Sequence, residues 1–329
     1  MPSKRTIHAI NDAIVEEMER DERVILIGED VGLSVFGDTR GLQKRFGSKR
    51  VRNTPISEAA ISGIAVGAAA SGYRVICHMM YANFLYTGFD AIANQAAKLT
   101  VMTGGKIRLP IVYIAFCGGG HSSAAQHLDS PHPALMNLGG LYVVSPSSPA
   151  SAKGLLKSAI RCDDPVIFLQ PASRGGEQED VPDGEFLVPL GKAKNLKEGV
   201  DITLVAIGAM VRPALRAAEA LLQEGIRANV IDPQTLFPLD KGAILESLAR
   251  TGRIMIVDEA RDTCSAASHI AAIAADEGFS YLRAPVRRVT VLDMPIAYAP
   301  PLEKAQIPDA ARIAAVARDL MAIQQIPSR

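Results

Sequence analysis

Short apolar runs alternate with helical patterns of about 10–15 residues along most of this chain, and this alternation limits the folds open to it most strongly. Strands separated by helices pair in parallel and are covered on both faces, which continuous apolar runs also favour. The sequence therefore predicts an α/β protein with doubly wound sheets. The predicted strands are residues 24–30, 74–80, 110–116, 141–146, 165–170, 201–208, 228–232, 253–259 and 286–292. The predicted helices are 6–21, 58–72, 88–102, 150–161, 209–224, 240–250, 264–277 and 309–323.

A polar stretch rich in glycine and proline, residues 171–199, interrupts the alternation, which then restarts. Such a stretch is typical of a linker. The chain has 329 residues, and at ~150 residues per domain this length suggests two domains. We expect the first domain at 1–185 and the second at 186–329.

Charge and cysteine usage exclude several classes of protein. Thirty-five basic residues balance thirty-five acidic ones, which argues against binding to nucleic acid or to an anionic membrane surface and favours partner chains. The least charged stretch, 59–89, is split at Gly72 and Arg74, so we expect no membrane span. Four scattered cysteines and no secretory signal indicate a cytoplasmic protein without zinc or a disulfide scaffold.

Ligands of open α/β sheets bind beyond the carboxyl ends of the strands. Four segments qualify: Gly28-Glu29-Asp30, the turn before Glu58, the loop that begins at Gly118, and Gly208-Ala209-Met210. The glycines at 118–120 lack the lysine of a phosphate-binding loop, so an anion site and a simple tight turn both remain open.

Three histidines follow these glycines: His121, His127 and His132. Their spacing matches no zinc motif, so acid–base chemistry is the functional interpretation and a solvated loop the plain one. His132 lies in a proline-flanked segment that we expect to be flexible.

Glu58 begins a helix of small, uncharged residues, with Ser57 as its predicted cap. The helix dipole alone can explain a carboxylate there. Gly63 and Gly67 lie one turn apart, and each costs ~1 kcal/mol of helix stability relative to alanine. The pair predicts close packing, which we expect at a subunit interface. Burial at such an interface would raise the pKa of Glu58 and suit it to catalysis.

Several segments together resemble one family. They are TPISE (54–58), FDAIANQAAKLTVMTGG (89–105), AQH (125–127), VVSPSSPASAKGLLKSAIRCDDPVIF (143–168), KAKNLKEGVDITLVAIG (192–208), IDPQTLFPLD (231–240) and ESLARTGRIMIVDEA (246–260). From residue 6 to 323 the chain resembles the β subunit of the thiamine-diphosphate-dependent decarboxylating component of 2-oxo acid dehydrogenase complexes. Pyruvate, branched-chain and acetoin dehydrogenases belong to that group, which is related to transketolase.

The resemblance implies a pyrimidine-binding domain followed by a transketolase C-terminal domain. It implies that Glu58 hydrogen-bonds N1′ of the aminopyrimidine of thiamine diphosphate and that Phe84 packs on the same ring. It also implies that His127 assists acyl transfer to a lipoyl group, with His132 as a weaker candidate for that role.

The resemblance further implies a potassium site, held mainly by backbone carbonyls. Its positions here are Ile111, Ala159, Ile160, Cys162 and Asp164. The chain lacks the GDG…N motif that binds magnesium and diphosphate, which implies that a separate α subunit supplies it. The expected assembly is an α2β2 heterotetramer that acts with a lipoyl-bearing acyltransferase on a small 2-oxo acid or acetoin.

Three positions depart from the pattern of the relatives: Leu128, Asp129 and Asn137, the last of which stands where relatives have a second histidine. These departures leave open a noncatalytic or altered-acceptor β-like subunit that keeps the α–β interface without acyl transfer. A stand-alone enzyme of the transketolase type is disfavoured by the missing diphosphate motif.

Overall fold

The computed structural model describes residues 3–174 and 178–323. The strands are β1 (Ser3–Arg5), β2 (Val24–Glu29), β3 (Val51–Thr54), β4 (Arg74–Tyr81), β5 (Ile111–Cys117), β6 (Tyr142–Val144), β7 (Val166–Pro171), β8 (Gln178–Asp180), β9 (Lys194–Lys197), β10 (Ile202–Ala206), β11 (Ala228–Asp232), β12 (Thr235–Phe237), β13 (Ile254–Arg261) and β14 (Arg287–Val291). The helices are α1 (Thr6–Arg20), α2 (Leu42–Phe46), α3 (Glu58–Ala70), α4 (Leu99–Met102), α5 (His132–Met136), α6 (Pro149–Arg161), α7 (Val211–Gln223), α8 (Lys241–Thr251), α9 (Ala266–Asp276), α10 (Pro300–Gln306) and α11 (Ala310–Ala322).

The first sheet has the strand order β12-β6-β7-β5-β4-β2-β3 and is parallel apart from β12. Successive side chains of β2 lie on opposite faces of the sheet, as the two-residue period of a strand requires, and pack in different apolar clusters. Leu26 packs with α1 and α6 on one face, whereas Ile27 packs with α3 on the other. The predicted α/β architecture with helices on both faces is confirmed.

The second sheet has the order β14-β13-β10-β11-β9 and is parallel apart from β9. Helices α7 and α11 cover one face. Apolar side chains of α8 and α9 on the other face join the core that lies under α3, so one continuous apolar cluster spans both sheets. The two halves of the chain therefore share a core.

Three features differ from the sequence prediction. The 171–199 stretch, expected as a linker, is not without regular structure: it contains β8, which pairs with β1, and β9, which joins the second sheet. The helix expected at 88–102 is instead a π-helical segment, Ala91–Ala96, followed by the short α4. β12 leaves the second half of the chain and pairs antiparallel with β6 of the first sheet. In the part of the chain described, no helix is long and apolar enough to cross a membrane.

Candidate active site at the carboxyl edge of the first sheet

Glu58 is the first residue of α3, directly after β3. Ser57 occupies the cap position as predicted, but its side chain makes no capping hydrogen bond. The backbone at Gly88 lies so close to α3 that a Cβ there would come within 3.1 Å of the Glu58 carbonyl oxygen. The Glu58 side chain is partly exposed in this single chain, so the burial expected for it needs a partner's surface.

Phe84 and His127 come together in an aromatic cluster with Tyr81. The ring centroids of Phe84 and His127 are 5.4 Å apart, and those of Tyr81 and His127 are 4.7 Å apart at an interplanar angle of 89°. Nδ1 of His127 is buried and has no hydrogen-bond partner among the described residues. A buried polar atom without a partner is costly, so this nitrogen is suited to meet a ligand.

Glu29 ends β2 at the same edge of the sheet. Burial, then the charges of Asp30 and Glu58, raise the pKa of Glu29. The end of β2 was one of the four ligand-binding segments predicted from the sequence. The structure adds that the charge of Glu58 acts on the Glu29 carboxylate.

The loop that carries His127 is held by the second half of the chain. Glu303 is 3% exposed, and its carboxylate accepts hydrogen bonds from the Gly120 amide at 2.7 Å, the Ser122 amide at 3.0 Å and the Ser122 hydroxyl at 2.8 Å. Glu303 could not be identified from the sequence. It is a single glutamate in a short helix, and no sequence pattern links it to a loop so distant along the chain.

Asp129, one of the departures, has a structural role. Its carboxylate accepts hydrogen bonds from Arg261 at 2.7 Å and from the Asn83 side chain at 3.0 Å, and its own amide donates to the Asn83 oxygen at 3.1 Å. Asp129 thus ties the histidine loop both to β13 and to the segment that carries Phe84.

His132 does not lie in a flexible segment, and that prediction is wrong. Its ring is 3% exposed at the start of α5, and its Nε2 lies 3.1 Å from an Asp258 carboxylate oxygen. Burial favours a higher pKa for Asp258, but the charge of His132 and its hydrogen bond outweigh that effect and lower it. His132 therefore joins the two halves of the chain.

Two regions of the chain match known domain families. Residues 3–176 match the transketolase pyrimidine-binding domain, and residues 191–313 match the transketolase C-terminal domain.

Curated relatives match almost end to end. The β subunit of acetoin:2,6-dichlorophenolindophenol oxidoreductase from Bacillus subtilis is 42% identical and covers 95% of this chain and 96% of its own length. The 2-oxoisovalerate dehydrogenase β subunit of the same organism is 41% identical, with 95% and 97% covered. The pyruvate dehydrogenase E1 β subunit of Staphylococcus epidermidis is 40% identical, with 89% and 91% covered. The chain belongs to this family of E1 β subunits.

This β subunit is also similar in fold to a split-gene transketolase solved as an inactive β4 tetramer, with a TM-score of 0.82, 25% identity and 98% and 99% of the chains covered. The family uses thiamine diphosphate, and its members act as subunits of oxidoreductases together with partner subunits.

The positions expected for potassium in this β subunit lie at the opposite, amino edge of the first sheet, where α6 ends and β5 begins. The Asp164 carboxylate is 3.2 Å from the Arg108 guanidinium. Burial raises the pKa of the Cys162 thiol, so that side chain is a neutral thiol at pH 7 and adds no negative charge.

Proposed function

We propose that Glu58, Phe84 and His127 of this β subunit form the aminopyrimidine half of a thiamine diphosphate site that an α subunit completes. The assembled enzyme cleaves a small 2-oxo acid or acetoin and passes the acyl group to a lipoyl-bearing acyltransferase. The contact of the Phe84 and His127 rings, on the sheet edge where Glu58 begins α3, carries this proposal.

The residues present fit this cofactor. A partly exposed carboxylate at Glu58 can accept a hydrogen bond from a ring nitrogen, the Phe84 ring offers an apolar face, and the unpaired Nδ1 of His127 needs a polar partner. When bound, thiamine diphosphate supplies the electron sink for C–C cleavage.

Each residue then has a definable task. Glu58, at the start of α3, holds or releases a proton at N1′ of the aminopyrimidine. Phe84 orients the ring and excludes water. His127 exchanges a proton with the acceptor sulfur during acyl transfer, since imidazole titrates near neutral pH.

We propose that magnesium and the diphosphate are held by the α subunit in an α2β2 heterotetramer. The described residues contain no group of three or more histidine, cysteine or acidic side chains arranged for a metal ion. An open apolar face is available for the partner: Ile56 and Ile64 near α3 are 73% and 56% exposed. Added Cβ atoms at Gly63 and Gly67 would meet nothing within 4 Å.

The Glu58 role is tested in the assembled α–β enzyme with an artificial electron acceptor, a reaction that needs no lipoyl group. We expect Glu58→Ala to lower kcat by ~10³-fold, or about 4 kcal/mol of transition-state stabilisation. Glu58→Asp, which keeps the carboxylate, should lose less. Near-normal kcat in Glu58→Ala at saturating cofactor would exclude the N1′ assignment.

The His127 role is tested by comparing two acceptors. His127→Ala should reduce transfer to a lipoyl domain by ~10²-fold or more, because the sulfur loses its proton donor, and should affect the artificial-acceptor reaction less. Equal losses in both reactions would remove the acyl-transfer role. Wild-type enzyme that never acylates a lipoyl domain would favour the altered-acceptor subunit instead.

Potassium and cellular location remain parts of the proposal. Because Asp164 is already ion-paired with Arg108, we propose that potassium binds at Ile111, Ala159, Ile160, Cys162 and Asp164 through backbone carbonyls, which the negative end of α6 favours. The Tm of the chain should then be higher in potassium chloride than in choline chloride, and equal Tm values would contradict this site. The proposed cytoplasmic location is tested by cell fractionation.

A further inference from the structure

Asp38 and His78 form a buried pair beside the aromatic cluster. The two residues are 1% and 3% exposed, and Nε2 of His78 is 2.9 Å from an Asp38 carboxylate oxygen. Burying two polar side chains is costly unless they are hydrogen-bonded, and here each is the partner of the other. No sequence pattern assigns a role to either residue, and the active-site residues above do not include them.

The pair reaches the active site through the backbone of Met80. The Met80 amide donates a hydrogen bond to Nδ1 of His78 at 3.2 Å. Since Nδ1 accepts, the ring proton lies on Nε2 and is donated to Asp38. Met80 has φ of 55°, a left-handed conformation that side chains other than glycine rarely adopt. The hydrogen bond to His78 holds the chain in this strained turn, which lies inside β4 where its register with β5 shifts between His78 and Tyr81.

The strained turn sets the direction of the next residue, Tyr81, whose ring contacts both His127 and Phe84. A second path runs through Phe36, which lies nearly parallel to the His78 ring at 6.3 Å and meets the Tyr81 ring edge-on at 5.3 Å. His78 therefore supports Tyr81 through the backbone and through the side-chain packing.

We propose that Asp38 and His78 are positioning residues of the active site. Asp38 fixes the tautomer of His78, His78 holds Met80 in its left-handed turn, and the turn places Tyr81 against His127 and Phe84. This proposal rests on the proposed function, because it assigns a task to residues that do not themselves contact the cofactor.

The first test is Asp38→Leu in the α–β enzyme. Leucine is close to aspartate in size but cannot accept a hydrogen bond from Nε2 of His78, so the ring is no longer fixed with its proton on Nε2 and with Nδ1 accepting from Met80. We expect kcat to fall by about tenfold or more at saturating substrate, with KM changed less, because the site is misaligned rather than emptied. Asp21→Leu, which removes a carboxylate paired with Arg23 at the end of α1, is the matched control. Unchanged kcat in Asp38→Leu would overturn the proposal.

The second test is rescue at Met80. Glycine adopts a positive φ without strain, whereas alanine removes the same side chain and keeps the strain. Adding Met80→Gly to Asp38→Leu should therefore recover most of the lost kcat, and adding Met80→Ala should not. Equal recovery by the two substitutions, or none by glycine, would show that holding the turn is not the role of the pair.

Two measurements on the full β chain alone separate this proposal from the proposed function. Nitrogen-15 NMR of labelled histidines should show a single, hydrogen-bonded Nε2–H tautomer for His78 in the wild type and its loss in Asp38→Leu. Hydrogen exchange of the Met80 amide should be about tenfold faster in the variant. Identical tautomer and exchange in the two proteins would refute the positioning role even if the enzyme is active. An inactive wild-type enzyme that shows both changes would instead refute the proposed function alone.

Discussion

Glu259 shows at the scale of one residue how burial changes a side chain's chemistry. It lies against Gly118, where an added Cβ would overlap its carboxylate. Burial, followed by the neighbouring charge of Asp258, raises the pKa of Glu259 from 4.5 to about 8. The carboxyl group is therefore largely protonated at neutral pH, beside the glycines that begin the histidine loop.

A pH dependence of stability follows. The folded-state pKa is raised, so the folded chain binds this proton more tightly than the unfolded chain does, and stability is lost as pH rises from 4.5 towards about 8. Glu259→Gln cannot ionise and should remove that loss, which makes the variant more stable than wild type by about 4 kcal/mol at pH 8. Urea unfolding at pH 5 and pH 8 measures this. Glu219→Gln, at an exposed position on α7, is the control; if the two variants show the same pH slope, the Glu259 assignment is wrong.

Residue types and their order along the chain predicted some site residues and could not predict others. Glu58, Phe84 and His127 lie in segments that resemble those of a known family, and two of the three touch in the structure. Their catalytic roles stay predictions. Tyr81, Glu303 and Arg261 were missed because their importance comes from contacts between distant parts of the chain, which no local pattern records.

At the scale of an element, α3 contains two glycines that no contact within this chain explains. An added Cβ at Gly63 or Gly67 would meet nothing within 4 Å. Alanine should therefore stabilise the isolated β chain by up to ~1 kcal/mol at each position. At the same time it should weaken assembly with the α subunit, if the face packs closely there.

Both effects can be measured on one set of proteins, by thermal unfolding of the β chain and by titration with the α subunit. Gly242→Ala serves as the control, since Gly242 is an exposed glycine inside α8. It should stabilise the chain without changing α binding. Unaltered α binding by Gly63→Ala and Gly67→Ala together would place the interface elsewhere.

The segment 88–102 shows where a helical pattern is insufficient. Its residues favour a helix, but the Ala97 amide bonds the Ile92 carbonyl at 3.0 Å, one residue further back than in an α-helix. The extra residue lets the Ala97 carbonyl approach Gly140 so closely that a Cβ at Gly140 would overlap its oxygen. Tertiary packing therefore decides the helix type of this segment, and helix propensities do not include tertiary packing.

At the scale of the whole molecule, the halves of the chain are interlocked. β12 completes the first sheet, His132 meets Asp258, and α8 and α9 share the core under α3. We propose that the domain boundary lies between residues 185 and 186. Ion pairs of Glu185 with Lys157 and Arg161 support placing it in the first domain.

Because the two halves of the chain share a sheet, an ion pair and an apolar core, we expect the chain to unfold as one unit. Leu236→Ala in β12 should cost about 2–4 kcal/mol, since Leu236 is 1% exposed. Calorimetry should show a single transition with equal calorimetric and van't Hoff enthalpies. Leu320 is buried on α11, in the apolar cluster between α7, α11 and the second sheet. Leu320→Ala should lower the temperature of the same single transition. Two resolved transitions, of which Leu320→Ala moves only one, would show independent domains.

The alternation of strands and helices was enough to predict the central parallel strands of both sheets, because those strands are mainly apolar. β12 could not be predicted, because three residues carry no usable periodicity and its partner β6 lies far back in the chain. The pairing of β1 with β8 could not be predicted either, because it joins Ser3 to Asp180 and no local sequence pattern indicates it.

The crossing of β12 also has a consequence during synthesis. On the ribosome, β6 emerges with one edge bare, and roughly 60 further residues must be translated after β7 before β12 can cover it. At ~5–20 residues per second, that takes several seconds. During that time nascent chains on neighbouring ribosomes of one message can pair edge to edge. Slower decoding between β7 and β12 should therefore lower the soluble yield of this chain without altering any residue.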